Sequence, residues 1–444
     1  MRTRFVWIAA VLALLLLAFV MACSTKYSSS SNGLVVVPSR DSQVMQTFSL
    51  NLSNGHVAQI NNTDGPPTPG LPSSLVLDPT GTVAFVLVTQ NPTLPAGPGN
   101  ITGIATFKVA SDGKLTPIAG QTLNSENIYL NGPTNLPEAV PAVPVALTMD
   151  TAGKFLFVAD SATVDSSSNQ IPGAVSVFSI GSGGSLSEVA GSPFVLPVNG
   201  VDSAFPAPCL STLSCSSASA LAATPTVFPS QFAACSAVTP PATENLYVAD
   251  SLSYVLLNYS VDVSAGTLIL KAVSTTEAGV ATGSVPSGVA VDPCDRFVYV
   301  ANAGPGANSV SAYTICSAVT QTCQQADYSL HPATALPYPV GDLPGPIAVD
   351  AYGNFLYVVN TGSSTISGFR ISSASGTLTP LSPATVATNS GPNSIAIRSD
   401  DTWLFVANIN SANVSEYAIT PASGALTPQS PFTTLNFPSG VGVK

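Results

Sequence analysis

The sequence predicts an all-β chain: a seven-bladed β-propeller of four-stranded antiparallel blades, its ring closed by a C-terminal strand that joins the N-terminal blade. Three observations carry this. The 444 residues include 34 Gly and 38 Pro with only 8% charged residues, a load that long helices do not tolerate. A unit of short alternating strands and Asp/Gly turns recurs along the chain. The two chain ends are complementary fragments of that unit.

The repeat is visible in PSSLVLDPTGTVAFVLV (72–88), PVALTMDTAGKFLFVAD (144–160), PSGVAVDPCDRFVYVAN (286–302), GPIAVDAYGNFLYVVN (345–360) and GPNSIAIRSDDTWLFVAN (391–408). Each is a proline, a short apolar strand, a tight turn and a second apolar strand. An alternating third strand follows, as in STISGFRI (364–371) and ANVSEYAI (412–419), then a Gly turn and a weaker fourth strand such as SGTLTPLSP (375–383). Four strands per repeat is the unit of a propeller blade. The repeat-initial residues Pro72, Pro144, Pro229, Pro286, Pro346, Pro392 and Pro438 set the number of blades at seven, with PSQFAAC (229–235) as a degenerate first strand. The last copy, PSGVGVK (438–444), has only a first strand, whereas residues 33–55 supply strands two to four. Joining them closes the ring and removes the exposed sheet edges of an open array.

Residues 1–22 read as an export signal: Arg2 and Arg4 precede an uninterrupted apolar run from Phe5 to Met21. VMAC at 20–23 resembles the bacterial lipobox, which implies a lipoprotein signal peptide and diacylation of Cys23. Residues 23–32 then form a Ser-rich tether, and 33–444 the propeller. The expected location is an exported protein, lipid-anchored to the bacterial membrane. Ser24 allows the outer membrane or cell surface if the cell is Gram-negative.

The segments FVYVAN, FLYVVN, WLFVAN, FLFVAD and NLYVAD resemble the YVTN-type propeller repeat. With the GTLTPLS-like fourth strands, the chain over about 33–444 is similar to lactonase-like seven-bladed propellers of the 6-phosphogluconolactonase/cycloisomerase type. The resemblance implies a hydrolase opening a small, sugar-type lactone at the channel mouth. It does not by itself assign an activity, because one fold hosts many functions.

Within a blade the first-to-second and third-to-fourth turns share one face, and these are short. The long connections fall on the other face, with inserts at 118–143, 192–228 and 330–345. Long loops on one end of a channel point to a binding face. The candidates for acid–base work there are His331, Glu138 and Asp202, and the candidates for ligand contact are Arg40, Glu126, Asp165, Glu277, Asp342 and Tyr338. The repeat acids Asp78, Asp150, Asp292 and Asp350 read as turn caps, and Asp160, Asp250, Asn302, Asn360 and Asn408 as caps of the second-to-third turns.

Besides Cys23 there are six cysteines, an even number suited to disulfides in an exported chain. Cys209–Cys215, Cys235–Cys294 and Cys316–Cys323 are the expected pairs. Two His and the absence of any CxxC argue against a metal, and no cofactor is expected. A formal net charge of −11 excludes nucleic acid as a partner. No nucleophile elbow, HExxH or P-loop is present. The sequence thus leaves three readings: a lipid-anchored envelope module that binds or scaffolds an unknown protein or small molecule through its long-loop face, a lactonase-like hydrolase, and a structural envelope coat. Whether the chain is an enzyme stays open at this stage.

Overall fold

The computed structural model describes residues 32–60, 65–95, 100–118, 123–124, 128–131, 137–140, 143–150, 152–164, 170–197, 216–223, 244–271, 279–316, 327–333 and 337–444. Seven antiparallel sheets follow one another around an axis, and four strands run outward in each. The innermost strands of blades 1 to 6 are Leu71–Leu77, Val143–Met149, Ala218–Ala223, Pro286–Val291, Pro344–Val349 and Pro392–Ile397. Blade 7 closes the ring. Its inner strand Gly442–Val443 pairs with Asn32–Ser39, with Val443 opposite Val35 and Gly442 opposite Val36. The Leu34 and Lys444 main chains also exchange hydrogen bonds, at 3.2 and 2.9 Å.

The second strand of each blade explains the sequence signature. In Phe297–Asn302 every residue is buried, because the strand is covered on both faces. Phe297, Tyr299 and Ala301 pack into the blade 4/5 interface, whereas Val298 and Val300 pack into the 3/4 interface. Seven such clusters fill the seven interfaces. The buried tyrosines need a partner for the hydroxyl. Tyr299 donates to the Gly376 carbonyl of the next blade at 3.1 Å, and Tyr357 donates to that of Gly424 at 2.7 Å. Gly376 and Gly424 are required there: both have positive φ (68° and 72°), and a Cβ would collide with the Phe297 and Phe355 rings.

The repeat-turn acids are caps, as their spacing implies. Asp150 Oδ1 accepts from the Lys154 and Phe155 N–H groups at 2.6 and 2.7 Å, and Asp350 Oδ1 from those of Asn354 and Phe355 at 2.6 and 2.7 Å. Asp292 Oδ2 accepts from the Cys294 and Arg296 N–H groups, both at 3.2 Å, and the carboxylate also holds the Arg296 guanidinium in a two-pronged pair, at 2.7 Å to each nitrogen.

Blade 3 departs from the expectation. Its inner strand is Ala218–Ala223, not the segment beginning at Pro229, so the span 192–228 is not one insert. The strand has no proline and, apart from Leu221, only small side chains, which hid it inside a Ser/Ala-rich stretch. The other two inserts also contain blade elements. In 330–345, Leu330–Pro332 is the outer strand of blade 4 and Tyr338–Pro339 pairs back on Val310. In 118–143, Leu123–Asn124 pairs with the third strand of blade 1, and Ile128–Asn131 with Pro137–Val140 forms a separate hairpin.

Charge is concentrated on the short-turn face. The fourth turn residue is Gly81, Gly153 or Gly353 in three blades, all at positive φ, and Asp295 or Asp401 in two others (φ 53° and 55°). Asp295 is fully buried, and neither carboxylate oxygen has a hydrogen-bond partner. Glu244, in the neighbouring blade, is buried with both oxygens equally unpartnered. Burial, then Asp150 and Asp295, pushes the Glu244 carboxyl up to about 9. Burial, then Asp292, pushes Asp295 up to about 8.

Two predictions follow from this architecture. Deleting residues 438–444 removes the buried Val441 and the inner strand of blade 7, and should cost at least about 4 kcal/mol in a urea titration. An unchanged urea midpoint would show that the ring is held elsewhere. Secondly, Glu244 and Asp295 keep their protons in the fold where the unfolded chain has released them. Their contribution to stability is full below the ordinary carboxylate range and is lost as pH rises to about 9. The melting temperature should fall between pH 5 and pH 9, and fall less steeply in Glu244→Gln with Asp295→Asn. A flat profile in the parent chain would contradict the burial of these acids in charged-averse surroundings.

Candidate functional site: the central channel

The inner strands bend at their second residue. The pairing register shifts between Pro72 and Ser74, Pro144 and Ala146, Ala218 and Ala220, Pro286 and Gly288, Pro344 and Ile347, and Pro392 and Ser394. A β-bulge at this point twists each inner strand at the mouth of the channel. The bulged positions carry Ser73, Val145, Ser219, Ser287, the Gly345–Pro346 pair and Asn393. Crowding selects small residues here: a Cβ on Gly288 would run into the Gly345 carbonyl of the next blade.

The hydroxyls tie the blades together. Ser219 Oγ donates to the Pro286 carbonyl and Ser287 Oγ to the Pro344 carbonyl, both at 2.6 Å. Thr361 Oγ1 serves the Pro392 carbonyl at 2.8 Å. Each bond crosses one blade boundary and satisfies a main-chain acceptor that the bulge takes out of the ladder. Between the inner strands lies a channel cavity of about 400 Å³, to which all seven blades contribute. Its polar lining is Ser73, Ser74, Ser219, Ser287, Asn393, Ser394 and Ser439, and the remaining lining is apolar or glycine. None of the residues lining it is ionisable. Asn393 Oδ1 has no hydrogen-bond partner.

Among the described residues, the charged candidates do not converge on this channel. His331 lies on the outer strand of blade 4, opposite Thr314, and its Nε2 is 3.3 Å from Ser329 Oγ. It is therefore at the periphery near the third-to-fourth connection, not at the mouth. The misplacement follows from reading 330–345 as a loop when it begins with the outer strand. Glu138 sits in the separate hairpin, in register with Leu130. Asp202, Glu126, Asp165 and Glu277 lie outside the described residues, as do Cys23, Cys209, Cys215, Cys235 and Cys323. Arg40 and Asp342 are on the long-loop face, both exposed. The Arg40 N–H donates to the Phe437 carbonyl at 2.8 Å. Asp342 accepts from Asn308 Nδ2 at 2.9 Å, and its N–H donates to Ser363 Oγ at 3.0 Å, which ties three loops together. Tyr338 packs edge-on to Phe369, 6.3 Å between centroids, inside the blade 4/5 interface. Cys294 and Cys316 are buried and disulfide-bonded.

At the ends of the second strands, Asp250 Oδ1 accepts from the Leu252 and Ser253 N–H groups at 3.0 and 3.1 Å, as a turn cap does. Asn360 and Asn408 instead donate inward to hydroxyls of the third strand: Ser367 and Ser415, both at 2.9 Å. Asp160 accepts from Ser176 at 2.9 Å, and burial pushes its carboxyl up to about 7. These polar ends hold the loop-side rim in shape, one strand out from the channel. The channel hydroxyls themselves were legible as a recurrent Pro-Ser or Pro-Asn pair at the start of a repeat: PSS, PSG, PNS and PSG. Acid–base reasoning passes over them because they do not titrate.

Residues 327–443, less than half the chain, match the family model described as "Lactonase, 7-bladed beta-propeller". No curated protein matches the chain. Among solved structures, a putative 6-phosphogluconolactonase from Bacteroides fragilis superposes with a TM-score of 0.63 at 17% identity, over 94% of this chain and 99% of that one. The Pseudomonas aeruginosa periplasmic gluconolactonase superposes with a TM-score of 0.64 at 16% identity, over 93% and 99%. A putative 6-phosphogluconolactonase from Bacteroides uniformis gives 0.64 at 16%, over 93% and 100%. The chain thus carries the seven-bladed lactonase-type propeller fold, and residues 327–443 supply its sequence-level match to that family.

Proposed function

We propose that the chain is an exported, lipid-anchored propeller that binds a small, uncharged, polyhydroxylated molecule in its central channel, entering from the long-loop face. One observation carries this reading: the channel lining is made of hydroxyls, one amide and apolar groups, with no ionisable side chain. Hydroxyls and amides match the donors and acceptors of a sugar or an aldonolactone. A phosphorylated sugar would lose its hydration in this channel without meeting a cation. Disulfide-bonded Cys294 and Cys316 fit an oxidising compartment outside the cytoplasm. Anchoring through Cys23 belongs to the same proposal.

A second reading has its own support. The family-model match over 327–443 favours a lactonase. Ring opening needs a general base within hydrogen-bond reach of the attacking water. No residue lining the channel offers one, so a base would have to come from groups beyond that lining, such as Glu138 or Asp202.

Calorimetric titration with D-glucose, glucono-1,5-lactone and 6-phosphogluconolactone separates the two. The binding reading predicts uptake of the neutral compounds and none of the phosphate. The Asn393→Leu variant should weaken that binding by about tenfold while leaving the melting temperature within a few degrees. Saturable lactone opening above the spontaneous rate would establish the lactonase reading instead. Failure of every neutral compound to bind would remove the carbohydrate reading.

A further inference from the structure

We infer that the channel's ligand is amphipathic: a neutral polyhydroxylated head in the hydroxyl-lined channel, joined to an apolar group that lies on a collar of exposed side chains at the mouth. The inference rests on the channel reading above and adds the class of ligand. Four inner strands open on the same device. The residue just before Pro286, Pro344, Pro392 and Pro438 is left-handed: Val285, Leu343, Gly391 and Phe437, with φ of 51°, 48°, 71° and 55°. Its carbonyl accepts the first N–H beyond the second strand, from Ala303, Thr361, Ile409 and Arg40 at 2.9, 3.0, 2.8 and 2.8 Å. Glycine performs this task in blade 6 without strain. An L side chain at positive φ is strained, more so when it is bulky or precedes proline.

Strain of this kind persists where the surroundings or a function demand it. Burial does not repay it here. Leu343 is 55% exposed and Phe437 40% exposed. The mouth of blade 2 adds Val143 and Val145, 42% and 39% exposed, and Val145 also lines the cavity. Val145 thus joins this exposed apolar surface to the neutral channel below it. Large apolar side chains held in water, at backbone positions where glycine is better suited, form a contact surface rather than a core. A ligand meeting both zones presents hydroxyls below and hydrocarbon above, as an aryl or alkyl glycoside does.

The test compares methyl and phenyl β-D-glucosides and β-D-galactosides by calorimetry on the purified chain. For the head group that binds, the phenyl glycoside should bind about tenfold tighter than the methyl glycoside, through burial of its ring. The double variant Leu343→Gly with Phe437→Gly should bring the two affinities to parity and leave the methyl affinity unchanged. Its melting temperature should hold or rise, because glycine relieves the backbone. The pair Leu343→Asn with Phe437→Asn, which also tolerates this backbone, should behave alike and serves if the glycine variant does not fold. Equal affinity for methyl and phenyl glycosides in the parent chain would overturn the collar and leave the channel reading standing. A phenyl preference that survives both variants would overturn it as well. Binding of neither class would overturn the channel reading, and this inference with it.

Discussion

Neighbouring inner strands pass close to one another at the bulge, and much of the molecule follows from that crowding. A Cβ on Gly288 would strike the carbonyl of Gly345 in the next blade. No side chain fits at position 288, and each of the inner strands of blades 1 to 6 bulges at this point. The bulge frees a proline carbonyl, which the preceding blade satisfies with a hydroxyl from Ser219, Ser287 or Thr361. Steric exclusion, backbone satisfaction and blade order are therefore one device. Its by-product is a channel wall of neutral hydroxyls.

Charge is displaced from the axis by the same logic. The acids gather at the short turns, where Asp150 and Asp350 each receive two main-chain N–H groups. Further out, the two-sided second strands carry continuous apolar runs, from which Tyr299 and Tyr357 each reach across an interface to a glycine carbonyl. Among the described residues the turn acids serve the fold, and the channel lining is uncharged. That division, rather than the overall acidity, decides which ligands the channel can hold. It also separates the fold's likeness to gluconolactonases from any chemistry those proteins perform.

The architecture was legible because it is periodic. Asp turns, two-sided apolar strands and Gly turns recur with one spacing, and each has a local cause. Complementary chain ends were readable for the same reason, and Gly442 and Val443 pair with Val36 and Val35 as that reading requires. Blade 3 was misplaced because Ala218–Ala223 keeps the small size but not the proline. His331 was assigned to a loop because a three-residue outer strand leaves almost no periodic trace. The channel residues were visible as repeated Pro-Ser pairs but chemically silent. Val285, Leu343 and Phe437 could not be singled out at all, since a left-handed backbone at a bulky residue leaves no mark in composition. Asp295 and Asp401 could have been: they stand where aligned turns have glycine.

The central claim is that the inner strands at the long-loop face, and not the charged short-turn face, form the seat for a ligand. Hydrogen–deuterium exchange with and without saturating phenyl β-D-glucoside tests it directly. The account predicts added protection in peptides covering 71–75, 143–147, 217–221, 285–289, 343–347, 391–395 and 437–441, with none at the turns 78–83, 292–297 and 350–355. Protection confined to those turns, or to the outer strand around His331, would contradict it.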